Sequence, residues 1–252
     1  MIEINGVVKK YQETTVLNQV SEIIPQGGIT SIIGANGAGK STLLSIMSRL
    51  LTPDGGSVSV NGLDVEKTPG KTLATVLSIL RQENHFTSRL TVYDLVSFGR
   101  YPYNQGRFTA EDRHYIENAM AFLDLLPLRE RYLDELSGGQ RQRAFVAMVL
   151  CQDTQYVLLD EPLNNLDIKH SVAMMKQLRR AADELNKTIV LVIHDINFAS
   201  AYSDHIIAMK GGEILYRGAP AEIMMPEKIE HIFDTQVAIE QVNGCYIAVY
   251  YR

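Results

Sequence analysis

Residues 29–44 read ITSIIGANGAGKSTLL, and this stretch sets the fold. Ile29, Ile32 and Ile33 make a short apolar run of strand character before the first glycine. Gly34-Ala35-Asn36-Gly37-Ala38-Gly39-Lys40-Ser41 then fits G-x-x-x-x-G-K-[ST], a phosphate-binding loop. Leu43, Leu44, Met47 and Leu51 follow at helical spacing, so a helix is predicted to run to about Leu51. The chemistry behind the pattern is direct. Glycines let backbone N–H groups curl toward phosphate oxygens. The next helix offers its unpaired N–H groups and the positive end of its dipole to the same anion. Lys40 adds a point charge at the β- and γ-phosphates, and Ser41 a hydroxyl for Mg2+. The expected nucleotide contacts here are Gly34, Ala35, Asn36, Gly37, Ala38, Gly39, Lys40, Ser41 and Thr42. This stretch alone implies nucleoside triphosphate binding and says nothing of how the energy is used.

The chain has 252 residues, enough for one large domain or a core with a smaller subdomain. A net charge of −5 argues against a dominant nucleic-acid surface. Cys151 and Cys245 lie far apart without metal spacing and are expected to be small buried hydrophobes. Met1 leads straight into an alternating strand-like run, so no secretion leader is expected. No apolar stretch approaches the ~18 residues needed to cross a bilayer. Any role at a membrane would therefore come through a partner.

Residues 2–33 read as several short strands, with turns at Gly6 and at residues 25–28. Val58, Val60 and Leu63 alternate across Asn61-Gly62, a hairpin signal. Residues 76–80 are another apolar strand, with Gln82 just past its end and His85 read as a surface histidine. From about residue 86 strand signals stop, and residues 90–98 and 109–126 read as helices. Thr109 and Asp112 resemble a capping box. Residues 99–106, GRYPYNQG, read as a polar and aromatic loop between those helices. The α/β pattern then returns. A helix is predicted over 138–151, a strand over 156–159 and a long helix over 168–185, with Ile168, Val172, Met175, Leu178, Ala182 and Leu185 on one face. A β-branched strand at 188–193, a short helix at 197–202, strands at 206–209 and 213–217, and a hairpin around Asn243-Gly244 follow. Apolar strands alternating with helices imply a largely parallel sheet covered on both faces.

Two more stretches carry chemistry. Residues 156–161, YVLLDE, are a buried strand ending in two acids. Downstream of a phosphate-binding loop, Asp160 fits a Mg2+ holder and Glu161 a group that orients or activates water. Residues 136–140, LSGGQ, open the helix that follows. Ser137 can cap it, and Gly138 and Gly139 let its N–H groups approach an anion.

With these motifs in view, the chain resembles the ATP-binding cassette family over nearly its whole length. Residues 34–41 look like its Walker A motif, and residues 136–140 match its signature motif letter for letter. Asp160 and Glu161 look like its Walker B aspartate and catalytic glutamate. The resemblance implies a P-loop NTPase core, an antiparallel N-terminal β region and a helical subdomain inserted at about 86–150, all within one cassette domain of residues 1–252. It also implies roles for further residues. Gln82 resembles the Q-loop glutamine that senses Mg2+ and the transmembrane partner. His194 resembles the switch histidine at the γ-phosphate, and Tyr11 the aromatic that stacks on adenine. Residues 164–167, NNLD, sit where the D-loop would be, with Asn165 where many members carry a small residue.

The cofactors implied are ATP and Mg2+. Ser41, Gln82 and Asp160 would hold the metal, with Lys40, Gln82, Glu161 and His194 the catalytic set. In this family the signature loop completes the site of a second copy, so Ser137, Gly138, Gly139 and Gln140 would contact the ATP of a partner chain. The remaining partners implied are transmembrane permease subunits and, indirectly, an extracytoplasmic binding protein, with no nucleic acid. The chain would sit peripherally at the cytoplasmic face of a bacterial membrane. Residues 97–102 and 109–113 resemble the import ATPases of the iron-siderophore, haem and cobalamin group. Residues 159–167, LDEPLNNLD, most resemble the ferric-siderophore branch. The alternatives are haem or cobalamin import, or a soluble cassette ATPase outside transport.

Overall fold

A strand cannot turn at a glycine that it can absorb as a bulge, and β1 (Ile2–Tyr11) shows this. In the computed structural model, which describes residues 1–82 and 88–250, β1 runs unbroken through Gly6. Gly6 takes a φ of +58°, its N–H donates to Ser21 Oγ at 2.8 Å, and the pairing register with β2 (Thr14–Ile24) shifts between Ile4 and Val7. The predicted turn at Gly6 is thus a β-bulge, the use of a glycine that keeps a long strand paired. Residues 25–27 do turn the chain into β3 (Gly28–Ile33), which leads through the glycine-rich loop into α1 (Lys40–Met47). That helix stops at Met47, short of the expected Leu51, and Arg49 is left-handed at φ +61°. β4 (Gly55–Val60) and β5 (Leu63–Asp64) form the expected hairpin, with Asn61 and Gly62 both at positive φ.

The chain divides into two compact units, Met1–Thr68 with Thr188–Arg252, and Pro69–Lys187. The second begins with α2 (Gly70–Leu73) and β6 (Leu77–Leu80). His85 lies outside the described residues. α3 (Val92–Ser97), α4 (Tyr101–Asn104), α5 (Ala110–Phe122) and α6 (Gly138–Cys151) come next, and the described residues between β6 and β7 (Tyr156–Asp160) contain no named strand. β6 and β7 pair in parallel, Leu77 opposite Tyr156 and Leu80 opposite Leu159. All five residues of β7 are buried, as its apolar run requires. α7 (Ile168–Glu184) closes this unit. It buries Met174, Met175, Leu178, Ala181 and Ala182, but Ile168 is 79% exposed and Leu185 is exposed as well. The apolar stripe is therefore shorter at both ends than its sequence pattern, with Ile168 and Leu185 left facing solvent.

The first unit resumes with β8 (Thr188–Val192), α8 (Ile196–Tyr202), β9 (His205–Lys210) and β10 (Glu213–Gly218). β3 lies between β8 and β9 and is parallel to both, while β10 returns antiparallel to β9. α9 (Pro220–Ile223) and α10 (Pro226–Phe233) were not foreseen; each opens with a proline at its first position, where a missing N–H costs nothing. The chain ends in the expected hairpin of β11 (Ala238–Val242) and β12 (Cys245–Val249). Both cysteines are free. Cys151 is buried and its thiol is pushed up to about 12 by burial, while Cys245 is only half-buried, unlike the expectation.

Residues 99–106 differ most from their reading. Residues 98–100 form a 3-10 turn and residues 101–104 a turn of helix, α4. Arg100 is buried. Its Nε donates to Asp112 Oδ1 at 3.1 Å and its Nη1 to the Cys151 carbonyl at 3.1 Å. The guanidinium is flanked by the Tyr103 and Tyr115 rings, each centroid 4.0 Å away. Gly99 packs so closely on α6 that a Cβ would strike the Met148 carbonyl. The segment is thus a structural knot rather than a free loop. Burial alone would raise the Asp112 carboxyl, but hydrogen bonds from the Thr109 N–H and the Arg100 guanidinium outweigh it and bring it down to about 2 from 3.8. The same carboxylate completes the capping box of α5 with Thr109, as foreseen.

Removing one partner of a buried ion pair strands the other, at a cost of about 3–5 kcal/mol. Arg100→Leu should lower stability by that order in denaturant titration, and Asp112→Asn by somewhat less. Because the folded-state value is depressed, the stabilisation from Asp112 is present above pH ~4 and fades as pH falls toward 2. Acid unfolding of Asp112→Asn should accordingly show a weaker pH dependence between pH 4 and 2 than the parent chain.

Candidate active site

In the first unit the glycine-rich loop is built as its sequence requires. Gly34, Gly37 and Gly39 take φ values of +146°, +78° and +96°, conformations that side-chain-bearing residues rarely adopt. Two of them are also needed for space. A Cβ at Gly34 would run into the Met209 carbonyl of β9, and one at Gly39 into Leu17 and the Val16 carbonyl of β2. Ala35, Asn36 and Gly37 at the tip are exposed, while Ala38, Gly39 and Lys40 are buried. Lys40 Nζ donates to the Gly34 and Ala35 carbonyls at 2.9 and 3.0 Å, so its ammonium lies inside the curl of the loop. Ser41 and Thr42 stand half-buried in the first turn of α1, whose N-terminal residue follows the left-handed Gly39. The cradle fits an anionic, phosphate-like group: glycine curl, helix start and ammonium converge on one end of α1.

Two other predicted residues belong to this unit. His194 follows β8 and is exposed, so it is not a packed core histidine. Asp195 beside it caps α8, accepting from the Asn197 and Phe198 N–H groups at 2.8 and 3.2 Å. Tyr11 ends β1 with half its surface exposed, and the Lys9 ammonium lies 5.7 Å from its ring centroid. The ring is thus not a core contact.

The second unit holds the acids, the glutamine and the signature loop. Asp160 is the last residue of β7 and is buried, whereas Glu161 is half-buried and left-handed at φ +50°. A glutamate in that region is strained, and such strain gathers at functional sites. Gln82 Nε2 donates to Glu161 Oε2 at 2.6 Å, so the structure joins two residues that lie 79 apart in sequence. A third member was not foreseen: Asn164 Nδ2 donates to the same Oε2, and its backbone N–H donates to the Glu161 carbonyl at 3.2 Å. The Glu-x-x-Asn spacing was the available signal, since a tight turn brings residues three apart together.

Ser137 caps α6 in a full capping box, its Oγ accepting from the Gln140 N–H at 3.3 Å and Gln140 Oε1 accepting from the Ser137 N–H at 3.0 Å. Ser137 and Gly138 are exposed, and Gly139 is buried. Gly139 is held against α7, because a Cβ there would overlap the His170 ring. His170 is itself fixed: its Nδ1 lies 2.6 Å from Asp167 Oδ1, and Asp167 caps α7 through the His170 N–H at 2.8 Å. That N–H and the imidazole hold the Asp167 carboxyl below its usual range. Residues 164–167 and the signature loop are therefore packed together through His170, a second contact that sequence reading missed.

A P-loop, a Walker B strand and a capped LSGGQ helix start define an ATP-binding cassette, and comparison with known proteins agrees. The ABC transporter family matches residues 17–164, and the chain belongs to that family. Two curated relatives align along their entire lengths. The petrobactin import ATP-binding protein YclP of Bacillus subtilis is 52% identical over 100% of both chains. Its counterpart FatE of Bacillus anthracis is 55% identical over 99% of this chain and 100% of its own. Among solved structures, a metal-chelate type ABC transporter in an inward-facing conformation shares the fold with a TM-score of 0.85 at 22% identity, covering 99% of this chain and 97% of that one. The cassette MJ0796, dimeric in a post-hydrolysis state with ADP and Pi, has a TM-score of 0.77 at 28% identity over 87% of this chain and 99% of its own.

The Gly139 contact can be tested by stability. Gly139→Ala should cost about 1–3 kcal/mol in chemical denaturation, since overpacking forces the pinned imidazole aside. His170→Ala in the same chain should restore most of it. A Gly139→Ala chain as stable as its parent would show that the ring yields freely.

Proposed function

We propose that this chain is the ATP-hydrolysing subunit of a bacterial importer for ferric siderophores, with petrobactin-like chelates as the cargo class. The observation that carries the reading is full-length similarity to two petrobactin import ATP-binding proteins. A relative of the ferric enterobactin system in Escherichia coli, 40% identical over 91% of this chain, favours siderophores over haem or cobalamin. Retention of Lys40, Glu161 and His194 together argues for hydrolysis and against a regulatory nucleotide sensor.

The roles follow from the residues. Glycine N–H groups of residues 34–39 and the Lys40 ammonium bind the β- and γ-phosphates, with Tyr11 as the adenine platform. Ser41, Gln82 and Asp160 supply hydroxyl, amide and carboxylate oxygens, the hard donors that Mg2+ takes. Mg2+ neutralises charge on the β- and γ-phosphate oxygens when bound. Glu161 accepts the proton of the attacking water, and His194 contacts the γ-phosphate. Ser137, Gly138, Gly139 and Gln140 face the γ-phosphate held by a second copy, in a head-to-tail dimer that ATP closes and hydrolysis opens. Among the described residues no helix is long and apolar enough to cross a membrane. By analogy with its import relatives, the chain works peripherally, on permease subunits served by an extracytoplasmic binding protein. Exposed Phe98, Tyr101 and Phe108 make the helical unit the docking face for the permease.

The test uses Glu161→Gln. It should bind ATP as tightly as the parent, accumulate as an ATP-bound dimer on size exclusion, and lose at least ~100-fold in turnover. Pull-down of that form from native membranes with ATP should bring down a permease and a siderophore-binding protein. Unchanged turnover in the variant would overturn the role of Glu161, and recovery of a haem or cobalamin system would overturn the cargo.

A further inference from the structure

Glu161 is tied by more than one group, and the second tie comes from the stretch 164–167, where no single side chain has been given a role at Glu161. The Gln82 and Asn164 amides converge on one carboxylate oxygen, Oε2. The left-handed backbone at Glu161 and the Asn164 N–H to Glu161 carbonyl bond make a tight turn that brings the Asn164 side chain back over residue 161. Asn165 is also left-handed, at φ +61°, and this carries the chain on to Asp167 at the start of α7. The backbone thus sets where Asn164 sits, and its exposed amide reaches Oε2 from there.

We infer that Asn164 is a positioning residue for the hydrolytic step, resting on the reading of Glu161 as the group that takes the proton. Two N–H donors on one oxygen fix rotation of the carboxylate about its terminal bond. They also single out Oε2 as the anchored oxygen. In the hydrolytic step the oxygen of water bonds to the γ-phosphorus and the bond from that phosphorus to the bridging oxygen breaks. The bridging oxygen leaves with its electron pair on ADP, and the proton of water passes to the Glu161 carboxylate. A carboxylate free to rotate would be misaligned for part of the time, and misplacement on this scale is expensive in rate. The pairing has a further property. Gln82 joins from a distant strand end, whereas Asn164 is local, so Glu161 stays oriented by Asn164 when Gln82 turns to other partners.

The experiment compares Asn164→Asp and Asn164→Ala with Glu161→Gln in the full chain. Asn164→Asp keeps the shape but replaces the donor by a like charge beside Glu161. It should lower kcat by about a hundredfold, and Asn164→Ala by about tenfold, with KM for ATP within twofold of the parent. Both should still bind a fluorescent ATP analogue normally, and Asn164→Asp should accumulate the ATP-bound dimer as Glu161→Gln does. In a double-variant cycle, Gln82→Ala and Asn164→Ala should be non-additive in kcat, since they share one oxygen. A kcat within twofold of the parent in both single variants would overturn the inference. So would a loss of the ATP-bound dimer or a parallel rise in KM, because either points to a structural role. If Glu161→Gln itself turns over normally, the reading of Glu161 fails instead; if only Asn164 is silent, the positioning role alone fails.

Discussion

The ammonium of Lys40 lies buried against the carbonyls of Gly34 and Ala35, and much of the first unit exists to make that tolerable. A charge taken out of water must be hydrogen-bonded or it is prohibitively costly. Two carbonyls can converge on one ammonium only if the backbone curls tightly, which demands left-handed residues. Gly34, Gly37 and Gly39 must all be glycine for φ, and Gly34 and Gly39 also because β9 and β2 press on the loop. The parallel order of β8, β3 and β9 follows from the same need, since it seats a buried strand directly behind the loop. A phosphate entering this curl meets a charge and a set of N–H groups already oriented, so little ordering remains to be done on binding.

The second unit applies the same logic to negative charge. β7 is buried along its whole length and delivers Asp160 and Glu161 at a rigid end. Rigidity there does not suffice, because a carboxylate still rotates. The unit supplies orientation through amides, from Gln82 after β6 and from Asn164 in the turn after β7. A few residues on, Asp167 and His170 start α7 and press on Gly139 at the start of α6. The turn that orients Glu161 is thus mechanically continuous with the signature loop. A displacement of the start of α6 has a short covalent and packed route to the Glu161 carboxylate.

The Arg100 knot shows a different economy. Its guanidinium bonds Asp112 and the Cys151 carbonyl and stacks between two tyrosines, tying the 3-10 turn, α4, α5 and α6 together. The neighbours Phe98, Tyr101 and Phe108 keep large exposed surfaces. A rigid base beneath exposed aromatics suits the docking role proposed for this face, because ordering costs are then met before a partner arrives.

Much of this was legible from residues 29–44, 136–140 and 156–161, where glycine, charge and apolar runs occur at spacings that few backbones satisfy. The P-loop, both capping boxes, the buried β7 and the Asn61-Gly62 hairpin stand where local chemistry put them, since each depends on neighbours within a few residues. Gly6, Arg100 and Ile168 read wrongly for one reason. Whether a glycine turns or bulges, whether an arginine faces water, and whether an isoleucine packs are settled by what another element places against it. The same holds at the active site. The amino-acid sequence alone determined which residues carry charge and which loops can hold phosphate. Only the tertiary structure decided that Gln82 joins Asn164 on one oxygen of Glu161 and that Gly139 leans on His170, because hydrogen bonds and steric contacts between distant segments leave no periodic trace in the chain.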